Sequence, residues 1–266
     1  KEIILLGQNV NAYHGERVKS IKGSEAGLGY LIRILAEIDG LERLRYLTSH
    51  PIDMDDDLIR AHGEVSILMP FLHLPVQSGS DDILRKMNRR HKIKDYYNIV
   101  EKLLVQCPHL KLSSDFIVGF PGESDKDFDY TLKIVRDIKF LQSYSFKYSP
   151  RPGTPSALLE SQIPENVKTE RLAILQGLLS QYQQVFNKES IGQVMPVLLD
   201  RYGRKEGQLV GRTPFMQPIH VEASDKYLDE IVEVKLISAM SNSLRGEVVK
   251  LNKPEKTKTI NEASYA

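Results

Sequence analysis

The chain has 266 residues, 41% of them hydrophobic and 27% charged, with a net charge of +1; this suits a globular protein with one large domain or a medium domain and a small companion. The near-zero charge excludes a global electrostatic argument for nucleic acid, and the single cysteine, Cys107, excludes a disulfide framework within the chain. No apolar run approaches the ~20 residues of a membrane span, and the lone thiol favours a reducing compartment, so the expected location is cytoplasmic. Lys1–Gly7 carry neither an initiating methionine nor a signal-peptide pattern. The natural start is therefore expected elsewhere.

Up to about residue 150, short apolar runs alternate with helical periodicity, the signature of βαβ units on a parallel sheet. The predicted strands are Glu2–Leu6, Arg43–Leu47, Phe71–Leu74, Lys111–Val118 and Ser143–Tyr148. Leu28, Leu31, Ile32, Leu35 and Ile38 form a crossover-helix stripe that stops at Gly40. A second stripe runs from Ile93 to Leu104 before Cys107-Pro108, and a third from Phe128 to Ile138 after the capping signal Ser124-Asp125-Lys126-Asp127. Residues 1–163 thus read as an α/β unit and residues 164–190 as a long connecting helix opened by Pro164. Short strands with turn residues between them over 191–252 predict a small β-barrel, and the polar stretch 253–266 a disordered tail.

In barrels of parallel strands, ligands meet the loops at the carboxyl ends of the strands. Those loops here carry Gln8 and Asn9, Ser49, Gln77 and Ser78, Gly119, and Arg151, and the strand that leads into Gly119 carries Ser114, Asp115 and Ile117. Taken singly, each loop is an ordinary strand-to-helix turn. Together their amides and hydroxyls suit a polar ligand with carboxylate, amine and ribose groups, and the glycines of Gly119–Glu123 would let backbone approach it. Glu123 reads equally as a ligand contact or as a carboxylate at a helix start. His50 and His73 lack a metal-ligand spacing and are assigned no metal.

With these residues in view, the chain resembles the radical-SAM methylthiotransferases. The resemblance rests on LLGQNVNAY (Leu5–Tyr13), TSHP (Thr48–Pro51), FLHLPVQSGSD (Phe71–Asp81), SSDFIVGFPGE (Ser113–Glu123), YSPRPGTPSA (Tyr148–Ala157) and SNSLRGEV (Ser241–Val248). Gln8–Asn11 and Thr48–Pro51 point more narrowly to the branch that methylthiolates carbon 2 of N6-isopentenyladenosine beside the tRNA anticodon. Sister enzymes acting on threonylcarbamoyladenosine or a ribosomal protein are the competing assignment. The resemblance implies an incomplete, TIM-like α/β barrel whose rim holds S-adenosylmethionine. Gln8 and Asn9 would meet the methionine amino group, Gln77 and Ser78 would lie on the rim, and Ile117 and Gly119 would lie near the adenine. It further implies a TRAM-like RNA-binding barrel in which Arg201, Arg204, Lys205, Arg212, Asn242 and Arg245 face the tRNA anticodon stem-loop, and an electron donor for the full-length enzyme. Charge alone would not suggest RNA, since residues 190–253 hold nine Lys/Arg against eight Asp/Glu.

The family's 4Fe-4S clusters need cysteine triads that this sequence lacks, and Cys107 matches none of their positions; it reads as a buried helix-end thiol. The expectation is therefore a fragment that has the family's ligand rim but is inactive alone. The alternative is a non-catalytic tRNA-binding remnant.

Overall fold

The computed structural model describes residues 1–16 and 25–249; the expected tail, 253–266, and the last residues assigned to the small domain lie outside the described residues. In chain order the first unit comprises β1 (Glu2–Leu5), a short antiparallel pair β2 (Gly15–Glu16) and β3 (Glu25–Ala26), α1 (Leu28–Leu35), β4 (Arg43–Tyr46), α2 (Asp56–Glu64), β5 (Phe71–His73), α3 (Asp81–Lys86), α4 (Ile93–Gln106), β6 (Lys111–Ser113), β7 (Asp115–Val118), α5 (Asp125–Ile138), β8 (Tyr144–Lys147) and α6 (Glu165–Glu189). β1 pairs with β4, β5 with β6 and β7 with β8, all parallel. Parallel bridges Leu44–Leu68 and Gln77–Phe116 join the pairs. The strands therefore follow one another in chain order with helices as crossovers, an open parallel α/β barrel.

The period-2 alternation of the strands explains which face is buried. Leu44, Tyr46, Leu72, Leu112, Phe116 and Val118 pack outward into one core with Ile32, Leu58, Tyr96, Leu103, Leu132 and Val135 of the helices. The alternate residues, among them Arg43, Arg45, His73, Asp115 and Ile117, stand on the inner side. The predicted 111–118 strand is broken at Ser114. There the serine hydroxyl accepts the Val76 N–H at 2.9 Å and the Ser114 N–H donates to Ser143 Oγ at 3.0 Å, so side chains replace ladder partners on both sides.

Residues 194–248 form a closed five-stranded barrel: β9 (Val194–Tyr202), β10 (Gln208–Arg212), β11 (Pro218–Glu222), β12 (Glu230–Ala239) and β13 (Leu244–Val248), in the order β10-β11-β13-β12-β9. Val197, Leu199, Leu209, Val221, Val234 and Leu236 fill it. Its Thr213–Gln217 loop meets the amino-terminal ends of β4 and β8. Arg45 donates to the carbonyls of Pro214 at 2.9 Å and Thr213 at 3.2 Å, Arg43 to those of Pro196 at 2.6 Å and Arg212 at 3.0 Å, and Gln142 to that of Phe215 at 2.7 Å. The small barrel thus sits at the end of the sheet opposite the polar rim. Among the described residues no helix is long and apolar enough to cross a membrane.

Candidate functional site

The loops after β1, β4, β5 and β7 interlock at the carboxyl ends of the strands. Asn11 holds the backbone of His50 from both sides, Nδ2 donating to its carbonyl and Oδ1 accepting its N–H, each at 2.8 Å. Val10 N–H donates to the Thr48 carbonyl at 3.1 Å, and the Thr48 hydroxyl reaches back to the Gly7 carbonyl. Two non-glycine residues at this rim have left-handed backbone, Thr48 at φ +62° and Gln77 at φ +73°. Such strain persists only where the surroundings impose it, and it clusters at ligand sites. The surroundings do so here: Gln77 donates its N–H to the Asp115 carbonyl and accepts the Ile117 N–H, each at 2.9 Å.

The side chains around this frame leave polar atoms unused. Ser49 is buried, and its hydroxyl has no partner among the described residues; both ring nitrogens of buried His91 are likewise unpartnered. His91 meets the His50 ring edge-on at 5.7 Å. Asp115 Oδ2 stands 3.5 Å from His73 Nε2. Within electrostatic reach of Asp115 is half-buried Arg89, whose guanidinium has no hydrogen-bond or ion-pair partner among the described residues. Its position comes from the left-handed turn at Asn88 (φ +57°) after α3, which returns the Arg89 N–H to the Leu84 carbonyl at 2.8 Å. Burial pushes the Arg89 guanidinium below the ordinary arginine value, with Asp115 opposing. Burial lowers His91 and His50 as well, aided in both by the Arg89 charge. Both imidazoles are therefore neutral at pH 7, and the rim offers one under-solvated cation, a carboxylate and neutral donors.

Not every expected residue converges there. Gln8 and Asn9 stand exposed at the rim's edge, Asn9 donating to Asp53 at 2.7 Å. Ser78 and Ser114 are fully buried: Ser78 lies against Thr131 of α5, and Ser114 pins β5 to β7. Gly119 has φ +71°, but the space a Cβ would occupy is filled by the Lys168 stem, so the glycine admits α6 rather than a ligand. Glu123 resolves as a buried structural carboxylate, accepting the Gly119 N–H at 2.8 Å and pairing with Arg171 at 2.7 Å. Arg151 is exposed. Arg89 and His91 were missed from the sequence; the only trace was the run Asn88-Arg89-Arg90-His91-Lys92, which reads as solvated charge. Cys107 ends α4, buried, 3.7 Å from His109. Among the described residues no group of three His, Cys, Asp or Glu is placed to hold a metal ion.

On the small barrel, Arg204, Lys205 and Arg245 line a cavity of about 300 Å³ with Met240 at its border. Arg245 pairs with Glu222 at 3.1 Å at an exposed position, and Arg201 is exposed beside Asp200. Arg212 is held by Asp200 at 2.6 Å with its side chain partly exposed, and its backbone carbonyl receives Arg43. Asn242 is exposed in the β12–β13 turn.

Comparison with known proteins places these features in families. Residues 1–135 match the radical SAM superfamily and residues 188–249 the TRAM domain. A tRNA-2-methylthio-N(6)-dimethylallyladenosine synthase of Rickettsia canadensis is 56% identical over 249 residues, 93% of this chain and 55% of that protein. A protein of the same name from Wolbachia pipientis subsp. Culex pipiens is 53% identical over 92% of this chain and 56% of its own length. The chain thus spans about half the length of the curated relatives it matches. Among solved structures, the coproporphyrinogen III oxidase of Escherichia coli is 12% identical, covering 80% of this chain and 54% of that one at a TM-score of 0.48.

Proposed function

The chain belongs to the radical SAM superfamily, and from that premise we propose that it supplies the S-adenosylmethionine rim and the RNA-holding barrel of a tRNA methylthiotransferase acting on carbon 2 of N6-isopentenyladenosine beside the anticodon. The observation that carries this reading is that one stretch of 249 residues, 56% identical to a relative bearing that name, includes both the rim loops and the TRAM barrel.

The residues at the rim fit a zwitterionic nucleoside. Arg89, desolvated and unpaired, would hold a carboxylate; Gln8 and Asn9 would accept from an amine; the free Ser49 hydroxyl and the Asp115 carboxylate would take up hydroxyls; Ile117 would flank a flat ring. S-adenosylmethionine, when bound, supplies the adenosyl group for radical formation and a methyl group. These residues bind it, orient it and exclude water around it, while the neutral imidazoles of His50 and His91 place no second cation against Arg89. The chain's residues do not fit an iron–sulfur cluster, because it offers one thiol, buried at the end of α4, where the superfamily's chemistry needs several thiolates.

The test is modification in cells that lack their own methylthiotransferase, read as 2-methylthio-N6-isopentenyladenosine in hydrolysed tRNA. The chain alone should give none. Fused to the part of the Rickettsia relative that it does not match, it should restore the modification, and Arg89→Met should reduce it at least tenfold with the fusion protein still soluble. A fusion that folds and binds iron yet leaves tRNA unmodified would remove this assignment.

A further inference from the structure

We propose that the cleft between the last sheet strand, α6 and the β12–β13 turn is a subsite for an unpaired nucleobase, so that an RNA strand crosses that turn with its phosphates on one side and a base on the other. The proposal rests on the RNA-binding reading of the small barrel and adds to it a place and a chemistry.

The cleft has a volume of about 350 Å³ and continues into a second of about 220 Å³, and no Asp, Glu, Lys or Arg lines either one. In a chain with 27% charged residues, that absence selects against phosphate and against a charged small molecule. The lining groups are amides and hydroxyls. Along α6, Gln176, Ser180, Gln183, Gln184 and Asn187 recur at helical spacing on one face. Several are pinned: Gln183 Oε1 accepts the Gln142 N–H at 2.8 Å, and Asn187 Oδ1 accepts from Gln183 at 2.9 Å and from Gln217 at 2.8 Å. Two are not: the amides of Gln176 and Asn242 have no hydrogen-bond partner among the described residues. Each offers a donor and an acceptor side by side, the pattern that reads the edge of a base.

The flat surface a base needs is also present. Tyr144 and Phe146 alternate on β8 in register with Asp115 and Ile117, so both rings stand on the inner face of the strand where its open edge meets the cleft, the Tyr144 ring 6.4 Å from that of His73, and they remain 62% and 53% exposed. Aromatic rings left open beside unpaired amides match the way single-stranded nucleic acid is held, by stacking and edge contacts. The turn Met240–Ser243 separates the two cavities. Met240 borders the cavity lined by Arg204, Lys205 and Arg245, whereas Ser241 and Asn242 border the neutral cleft. The two chemistries of a nucleotide thus find their partners on opposite sides of one turn.

The test uses the purified 266-residue chain and a fluorescent hairpin RNA with an unpaired loop. Tyr144→Ala combined with Phe146→Ala should weaken binding about tenfold, in line with stacking contributions, and should leave the salt dependence unchanged because no phosphate contact is lost. Arg204→Ala with Lys205→Ala should instead flatten the dependence of log K on log salt by about two. A hairpin with abasic loop positions should bind the unaltered chain as weakly as the intact hairpin binds the aromatic double variant, and Tyr144→Phe should keep its affinity. If the RNA binds tightly but is indifferent to the aromatic substitutions, to Gln176→Ala and to abasic positions, the subsite is overturned while RNA binding stands, and the open β8 edge is left to another occupant such as an extended peptide. If no hairpin binds even at low salt, the RNA reading falls and the subsite with it.

Discussion

Tyr46 Oη and His62 Nε2 meet 2.6 Å apart inside the core, and the other ring nitrogen of His62 has no partner among the described residues. Burial lowers the imidazole to about 4, so the folded state holds it neutral. An unfolded histidine titrates near 6.5, and the folded state therefore binds fewer protons between these values. Its contribution is fully present above about pH 6.5 and is lost as the pH falls toward 4, by about 3 kcal/mol in all from one buried group. His50 and His91 shift in the same direction and steepen the same limb. His62→Gln should cost about 1 kcal/mol at pH 7 from lost packing and hydrogen bonding. At pH 4.5 the gap to the unaltered chain should close or reverse. Urea midpoints at the two pH values measure this, and equal losses of stability on acidification in both proteins would show that another group carries the acid limb.

Elements differ in how openly the sequence announces them. Helix α5 is announced twice, by its apolar stripe and by Ser124-x-x-Asp127. In the structure Ser124 Oγ accepts the Asp127 N–H at 3.2 Å while the Asp127 carboxylate accepts the Ser124 N–H at 2.9 Å. Ser124→Ala should cost about 1 kcal/mol, Ser124→Asp should restore most of it, and thermal midpoints will show whether the cap matters as its geometry says. Strands β1, β4, β5 and β8 and the five strands of the small barrel were legible because each is a short run carrying apolar residues between turn residues. Helices α2 and α3 were not. The first buries only Leu58, Ile59, Ala61 and His62 along nine residues, and the second has six residues, too short for a period to repeat. The rim shows the same division. Ser49, Gln77 and Asp115 follow strands and could be read from position, but Arg89 reaches the rim only through a left-handed turn at Asn88, a conformation no local pattern encodes. Gly119 misled in the opposite sense, because what its missing Cβ admits lies 49 residues away, at Lys168.

At the scale of the whole molecule, the two domains are joined by arginines on the inner face of β4, where period-2 alternation alone would suggest solvent. Arg45 has a counter-ion, Glu2, at 2.9 Å, and both side chains are buried. Among the described residues Arg43 has no carboxylate in ion-pair reach; it donates to the carbonyls of Pro196 and Arg212, and burial together with the neighbouring Arg45 charge lowers it to about 10. Removing one partner of a buried polar contact exposes the other to its full desolvation cost, about 1–3 kcal/mol for each carbonyl left unpaired. Arg43→Met keeps most of the volume and removes both donors, so its cost should fall on the docking of the small barrel and spare either core. Scanning calorimetry should then resolve two transitions where the unaltered chain shows one, the separate transition belonging to residues 194–248. The same variant bears on RNA binding, because the cleft beside β8 exists only while the β12–β13 turn is held against α6 and Gln142. Arg43→Met should therefore weaken the hairpin although it touches none of the cleft's lining. A single transition with unchanged hairpin affinity would mean that the packing of Phe215 on Phe186, at 5.4 Å between ring centres, and the amide contacts around Asn187 suffice to hold the domains together.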